Sequence, residues 1–218
     1  MSNDRIKPRV KWSEDKNSYV WRSNGHVLKN KALYRMVAEE IAIVEKKTKD
    51  LSDRFINGKI RFFEWQYGMS EIVRKSHVEM LRLGRGGKER VTDEQYLSIA
   101  RHIKIEQYPR LRIFSEDIKE GKLTPRQIVA RSRLYARSSR RSFEYGRLQN
   151  NKGYYAKRKL GKCKDHCQPC LFYATLDYLP VSQVTLPTEK CDCGGNCCCT
   201  LDIIPPEKRI ISLSDRLI

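Results

Sequence analysis

A mainly α-helical domain with an extended N-terminal arm and a small C-terminal cysteine-rich, zinc-bound module is the fold class the sequence predicts. Three observations predict it. Apolar residues recur at helical spacing through much of residues 31–160, several of those segments carry helix start or stop signals, and all eight cysteines lie beyond residue 162. At 218 residues the chain holds one domain with a proper core and one small module. The organisation read from this is an arm or hairpin over 1–30, a helical domain over 31–160, a cysteine module over 161–204 and a tail over 205–218.

In the arm, Tyr19, Val20 and Trp21 favour a strand, and Asn24-Gly25 is the strongest short turn signal. An isolated hairpin is marginal in water, so arm and tail are expected to be held by partners. The first helix is marked by Leu33, Met36, Val37, Ile41 and Val44. The second runs from about Phe62 to Leu83 and stops at Gly84, Gly86 and Gly87. Thr92 with Gln95 opens a third, which Pro109 should kink or divide and Gly121 closes. A fourth starts at Thr124, with Pro125 in its first position and Gln127 completing a capping box. Along it Arg126, Arg133, Arg140 and Arg147 recur every seven residues, with Arg137 between. At about 100° per residue they share an arc of roughly 80° on a helix about 35 Å long.

Charge sharpens that stripe. The net charge is +18, and Thr124–Lys162 holds twelve Lys or Arg against Glu144 alone. A solvated face usually mixes signs, so these arginines are expected to meet an anionic partner, either DNA or an acidic protein surface. Hydrophobic residues make up 39% and charged residues 32%, no apolar run approaches a membrane span of about 18 residues, and the opening residues do not read as a signal peptide. Synthesis in a cytosol follows as an expectation. Reduced thiols follow with it, which favours metal over disulfides for clustered cysteines.

Cys167 and Cys170 form a CxxC, preceded by Cys163 and His166; Cys191, Cys193, Cys197, Cys198 and Cys199 follow. A structural zinc takes four soft ligands from two short-spaced sets. Cys167 and Cys170 supply one pair, and two of Cys193, Cys197 and Cys199 the other. Gly194-Gly195 permits the tight backbone this needs. Buried or disulfide-bonded cysteines are the plain alternative, and spacing alone leaves an iron–sulfur cluster open. The four histidines are scattered and no HExxH, GxSxG or P-loop pattern occurs, so the chain does not read as an enzyme.

Two blocks, "FEWQYGMSEIVRKSHVEMLRLGRGGKERVTDEQYLSIARHI" and "YPRLRIFSEDIKEGKLTPRQIVARSRLYARSSRRSFEYGR", with the ending "DHCQPCLFYATLDYLPVSQVTLP…CGGNCCCTLDI", resemble the minor head, or head-morphogenesis-like, proteins of tailed bacteriophages. The resemblance covers about residues 60–203. It puts Cys167 and Cys170 on the family's first cysteine pair and Cys193, Cys197 and Cys199 on its second set, leaving Cys163, Cys191 and Cys198 as extras. It implies a virion component of the head or head–tail neck, present in several copies and touching capsid, portal or connector proteins. Ile203-Ile204 before Pro205-Pro206, and the Ile/Leu-rich end, suit strand addition to a neighbour. The competing reading is a zinc-containing DNA-binding or packaging factor, which the basic helix suits.

Overall fold

The computed structural model describes residues 9–163 and 165–209, and helices dominate them. Helix α1 (Asn30–Ile56) buries Leu33, Val37 and Val44 and then continues past the apolar pattern with Thr48 and Ser52 facing inward. Those small side chains admit a neighbour. Ser52 Oγ shares a 2.8 Å hydrogen bond with Ser132 Oγ of helix α5 (Pro125–Ser138) and accepts one from Trp65 Nε1 at 3.1 Å.

Helix α2 (Phe62–Arg85) ends at Gly86, whose φ of 77° is the left-handed cap that glycine supplies without strain. Thr92 and Gln95 cap helix α3 (Asp93–His102) reciprocally, as the pattern requires. Pro109 takes effect one turn early: a π-helical turn over Ile103–Gln107 opens the ladder before helix α4 (Tyr108–Lys119). There the ring would clash with a preceding carbonyl and no N–H is available to bond it.

Thr124 and Gln127 cap α5, but the fourth helix is not continuous. It breaks at Ser139 and resumes as α6 (Arg140–Asn150). Ser138 and Ser139 donate back to the carbonyls of Tyr135 and Ala136 at 2.8 and 2.6 Å, a competition with the helical ladder that bends helices. The helix expected to run unbroken over these arginines is therefore two, joined at Ser139.

α2 and α6 cross at glycines. A Cβ on Gly84 would meet the Phe143 carbonyl oxygen at 2.2 Å, and one on Gly146 the Leu81 carbonyl oxygen at 2.8 Å. One core cluster gathers Trp65, Met69, Phe114 and Tyr135; a second gathers Val10, Trp12, Leu33, Met80 and Phe143.

Residues of the expected arm lie in that second cluster. Strands β1 (Val10–Ser13) and β2 (Ser18–Trp21) pair antiparallel, and the Trp12 ring stands edge-on to Tyr19 at 5.0 Å. Val10, Trp12, Tyr19 and Val20 are buried. Their apolar side chains are covered by the chain's own helices, so over residues 9–28 no partner is needed to hold the hairpin; residues 1–8 lie outside the described residues. Asn24-Gly25 does turn the chain, bringing Val27 beside Val20, but the β1–β2 turn precedes it.

Strand β3 (Tyr155–Lys159) lies centrally between β4 (Leu179–Pro180) and β5 (Thr200–Ile204). The module thus takes a strand from the stretch read as helical domain. Ile203 and Ile204 pair with Ala156 and Tyr155 of the same chain rather than with a neighbour; the tail beyond residue 209 lies outside the described residues. No described helix is long and apolar enough to cross a membrane.

Two outcomes follow. Gly84→Ala should destabilise by about 1–3 kcal/mol despite alanine's better helix propensity, because rigid backbone blocks the methyl. Gly68→Ala, where a Cβ meets only the Leu51 side chain, is the control with a much smaller change in urea unfolding. His77 is fully buried, with Nδ1 2.7 Å from Ser142 Oγ. Burial, then the nearby His102 and Arg141, push its pKa down to about 3. The unfolded chain binds the extra proton between pH ~6.5 and about 3, so stability falls as pH drops through that window, by at most about 1.4 kcal/mol per unit. Unfolding titrations from pH 7 to 4 should show that slope, reduced in His77→Gln.

Candidate metal centre

Helix α7 (Gln168–Thr175) starts at Cys167, and Cys170 sits in its first turn. The CxxC therefore presents both sulfurs from one helix end. Facing them, Cys191 and Cys193 lead into a tight turn over Gly194–Asn196, with Gly194 at φ 48°. Amides of Gly194, Asn196 and Cys197 close this turn onto the carbonyls of Cys191, Cys193 and Gly194.

The sulfurs converge. Cys167–Cys193 and Cys170–Cys191 are 3.5 Å apart, Cys170–Cys193 3.6 Å and Cys170–Cys197 3.8 Å. A tetrahedral ion with metal–sulfur bonds of about 2.3 Å holds its ligands about 3.8 Å from one another. Cys167, Cys170, Cys191 and Cys193 form a four-thiol set able to hold a metal ion; Cys170, Cys197 and Cys199 form an adjoining buried triad. All five expected ligands are thus gathered. Cys191, read as an extra, is in the four-thiol set, while Cys197 and Cys199 are in the adjoining one. The signal was present as the CxC of Cys191 and Cys193, facing the CxxC.

Two further extras depart from the all-thiol expectation. Cys163 and Cys198 are joined as a disulfide. Three consecutive side chains cannot all turn to one ion, and Cys198 bonds Cys163 instead of joining Cys170, Cys197 and Cys199.

Sequence reasoning missed Arg158. On β3 it shares a face with Ala156, and it is 2% exposed. Its guanidinium donates to Cys191 Sγ at 3.0 Å and Cys170 Sγ at 3.7 Å, and to the carbonyls of Thr185 and Leu186. Burial alone would lower its pKa; the Cys191, Cys170 and Cys197 sulfurs outweigh that and raise it. Arginine stays charged in proteins. A buried guanidinium whose partners are sulfurs and carbonyls calls for negative charge on those sulfurs. Among the bare thiols, S–H donation from Cys191, then Cys199, holds Cys197 below the ordinary thiol range, while the hydrogen bond to Cys197 drives Cys191 and Cys199 up. A soft cation in place of those shared protons satisfies all the sulfurs together.

Of the arginines of the expected stripe only Arg147 is buried; Arg126 and Arg137 are exposed. Arg147 is buried against Glu144 at 2.9 Å and reaches Leu201 O at 3.4 Å, so it cannot meet an outside anion. Arg137 pairs with Glu45 at 2.5 Å and donates to Asn196 Oδ1 at 3.0 Å. Arg140 lies over the Tyr34 ring at 5.5 Å. Arg133 is half-buried and Arg126 exposed. Arg141, outside the stripe, links Glu106 at 2.6 Å to Glu189 at 3.2 Å. Gly195 seats the cysteine turn directly on α5, where a Cβ would meet Leu134 O at 2.6 Å. Arg137, Arg141, Arg147 and the Gly195 turn bind the cysteine module to the helices.

Comparison of the chain with protein-family models, with curated proteins and with solved structures gives no match.

Arg158→Met should cost about 3–5 kcal/mol, the range for removing one partner of a buried charge pair. The loss should be largest in metal-loaded protein. Chemical denaturation of the loaded and chelated forms checks this, and equal losses in both would contradict charge compensation by Arg158.

Proposed function

We propose that the chain is a structural zinc protein of a tailed-phage particle, a minor head or head–tail neck component that contacts capsid, portal or connector proteins. The observation that carries the structural part is the closed four-thiol set with a buried guanidinium behind it. Four protein sulfurs leave no open position for substrate or water, the arrangement of structural rather than catalytic zinc. A single tetrahedral ion fits sulfurs 3.5–3.6 Å apart, whereas a cluster with its own sulfides would spread its ligands wider. The particle assignment is supported by the resemblance over residues 60–203. Exposed Phe63, Tyr67, Leu97 and Ile105 on the helices suit a protein that is covered in an assembly. The DNA-binding alternative loses much of its motive, because Arg137 and Arg147 are engaged within the chain.

Metal analysis of reduced full-length protein should find zinc, and Cys170→Ser should lose it with a large fall in thermal stability, structural zinc sites being worth on the order of 10 kcal/mol. Cys191→Ser should do the same, since Cys191 belongs to the four-thiol set. Peptide mapping of purified particles of the phage encoding the chain should recover it at constant copy number. Zinc-free protein would end the metal reading, and particles lacking the chain would end the virion reading.

A further inference from the structure

Beside the four-thiol set stands a separate group of donors. The ligand atoms of Cys163, His166 and Cys198 lie within 4.8 Å of one another, each residue half-buried. The His166 ring is oriented by its surroundings. Nε2 lies 3.1 Å from the Gly161 carbonyl oxygen, where a ring nitrogen can only donate. Nδ1 is then left with its lone pair, 3.9 Å from Cys199 Sγ, and Cys163 Sγ stands beside the ring, 3.7 Å from Nδ1 and 3.9 Å from Nε2. Nitrogen and sulfur ligands of one tetrahedral zinc stand about 3.6 Å apart. An imidazole held by a backbone carbonyl, with cysteine sulfurs beside its free nitrogen, has the surroundings of a metal-binding histidine. The two strands of the site also touch: a Cβ on Gly161 would meet the Cys198 carbonyl oxygen at 2.1 Å.

Here Cys163 and Cys198 are disulfide-bonded. Disulfide sulfurs carry no negative charge, and a soft cation needs thiolates. We propose that Cys163, His166 and Cys198, with Cys199 as the fourth donor, form a second zinc site, and that the ion and the Cys163–Cys198 disulfide are alternative occupants of it. A dithiol reductant delivers two electrons and two protons to the Cys163–Cys198 bond and ends as its own disulfide. Zinc then displaces one proton from each of three thiols into solvent, and His166 binds through the Nδ1 lone pair. In the opposite direction a low-molecular-weight disulfide takes two electrons from the Cys163 and Cys198 sulfurs. It leaves as two thiols with two protons from solvent, and as the ion departs Cys199 takes a third proton from solvent. Such reagents have access, because Cys163 and Cys198 line a groove of about 380 Å³ together with Arg137 and Arg140. The inference needs the four-thiol centre as its neighbour but not the particle assignment.

The test counts zinc per chain by native mass spectrometry on full-length protein. One sample is loaded with zinc under excess dithiol; another is treated afterwards with oxidised glutathione, and both are desalted. The reduced protein should hold two zinc ions. The oxidised protein should hold one, with Cys163 and Cys198 recovered as a linked peptide. His166→Ala leaves the disulfide pair intact and should hold one ion in both states. Cys163→Ala removes a ligand and the disulfide together and should also hold one in both. One ion in reduced wild-type protein would overturn the second site while leaving the first standing. Two ions retained beside a formed Cys163–Cys198 disulfide would overturn the exclusivity, and no zinc in either state would remove both sites.

Discussion

A permanent positive charge buried among sulfurs is the constraint on which the C-terminal half depends. Arg158 cannot shed its proton, and its partners are Cys191, Cys170 and two carbonyls. A dry guanidinium is tolerable only where negative charge meets it. Thiolates supply that charge, and several thiolates within 4 Å of each other are tolerable only around a cation. Each charge therefore requires the next. With a metal bound, the sulfurs would offset the arginine and the arginine the excess negative charge of four thiolates, while β3 keeps Arg158 facing inward through its pairing with β5.

The same logic extends to the helices. Arg137 and Arg141 reach Asn196 and Glu189 beside the cysteines, and Arg147 reaches the β5 backbone at Leu201. Behind them, Glu144 is fully buried between Arg147 and the Tyr34 hydroxyl. α6 thus holds the sheet on one side and crosses α2 at Gly84 and Gly146 on the other. A strongly basic chain has used part of its charge as internal fastening, with carboxylates of α1 and of the cysteine module as the counterparts.

The helical class was legible because it rests on local signals: apolar spacing in α1 and α2, and the Thr-x-x-Gln boxes at Thr92 and Thr124. The break at Ser139 was not, since serine back-bonding acts against a helix-favouring neighbourhood without changing its periodicity. The hairpin could be read as two extended pieces but not as core, because burial of Val10 and Trp12 depends on helices far along the chain. In the metal centre the residue types and the CxxC were plain. The grouping of Cys191 with Cys167, Cys170 and Cys193 was not, because it depends on how the Gly194–Asn196 turn places its flanking sulfurs. Arg158 left no trace in the sequence: in a basic stretch one more arginine looks solvated, and only strand parity with Ala156 sends it inward.

The central claim is that Cys167, Cys170, Cys191 and Cys193 close around one ion as four thiolates. X-ray absorption at the zinc edge tests it most directly, on full-length protein loaded with zinc and carrying the Cys163–Cys198 disulfide. The account predicts a first shell of sulfur alone, four scatterers at about 2.3 Å. A shell containing oxygen or nitrogen, or fewer than four sulfurs, would contradict it.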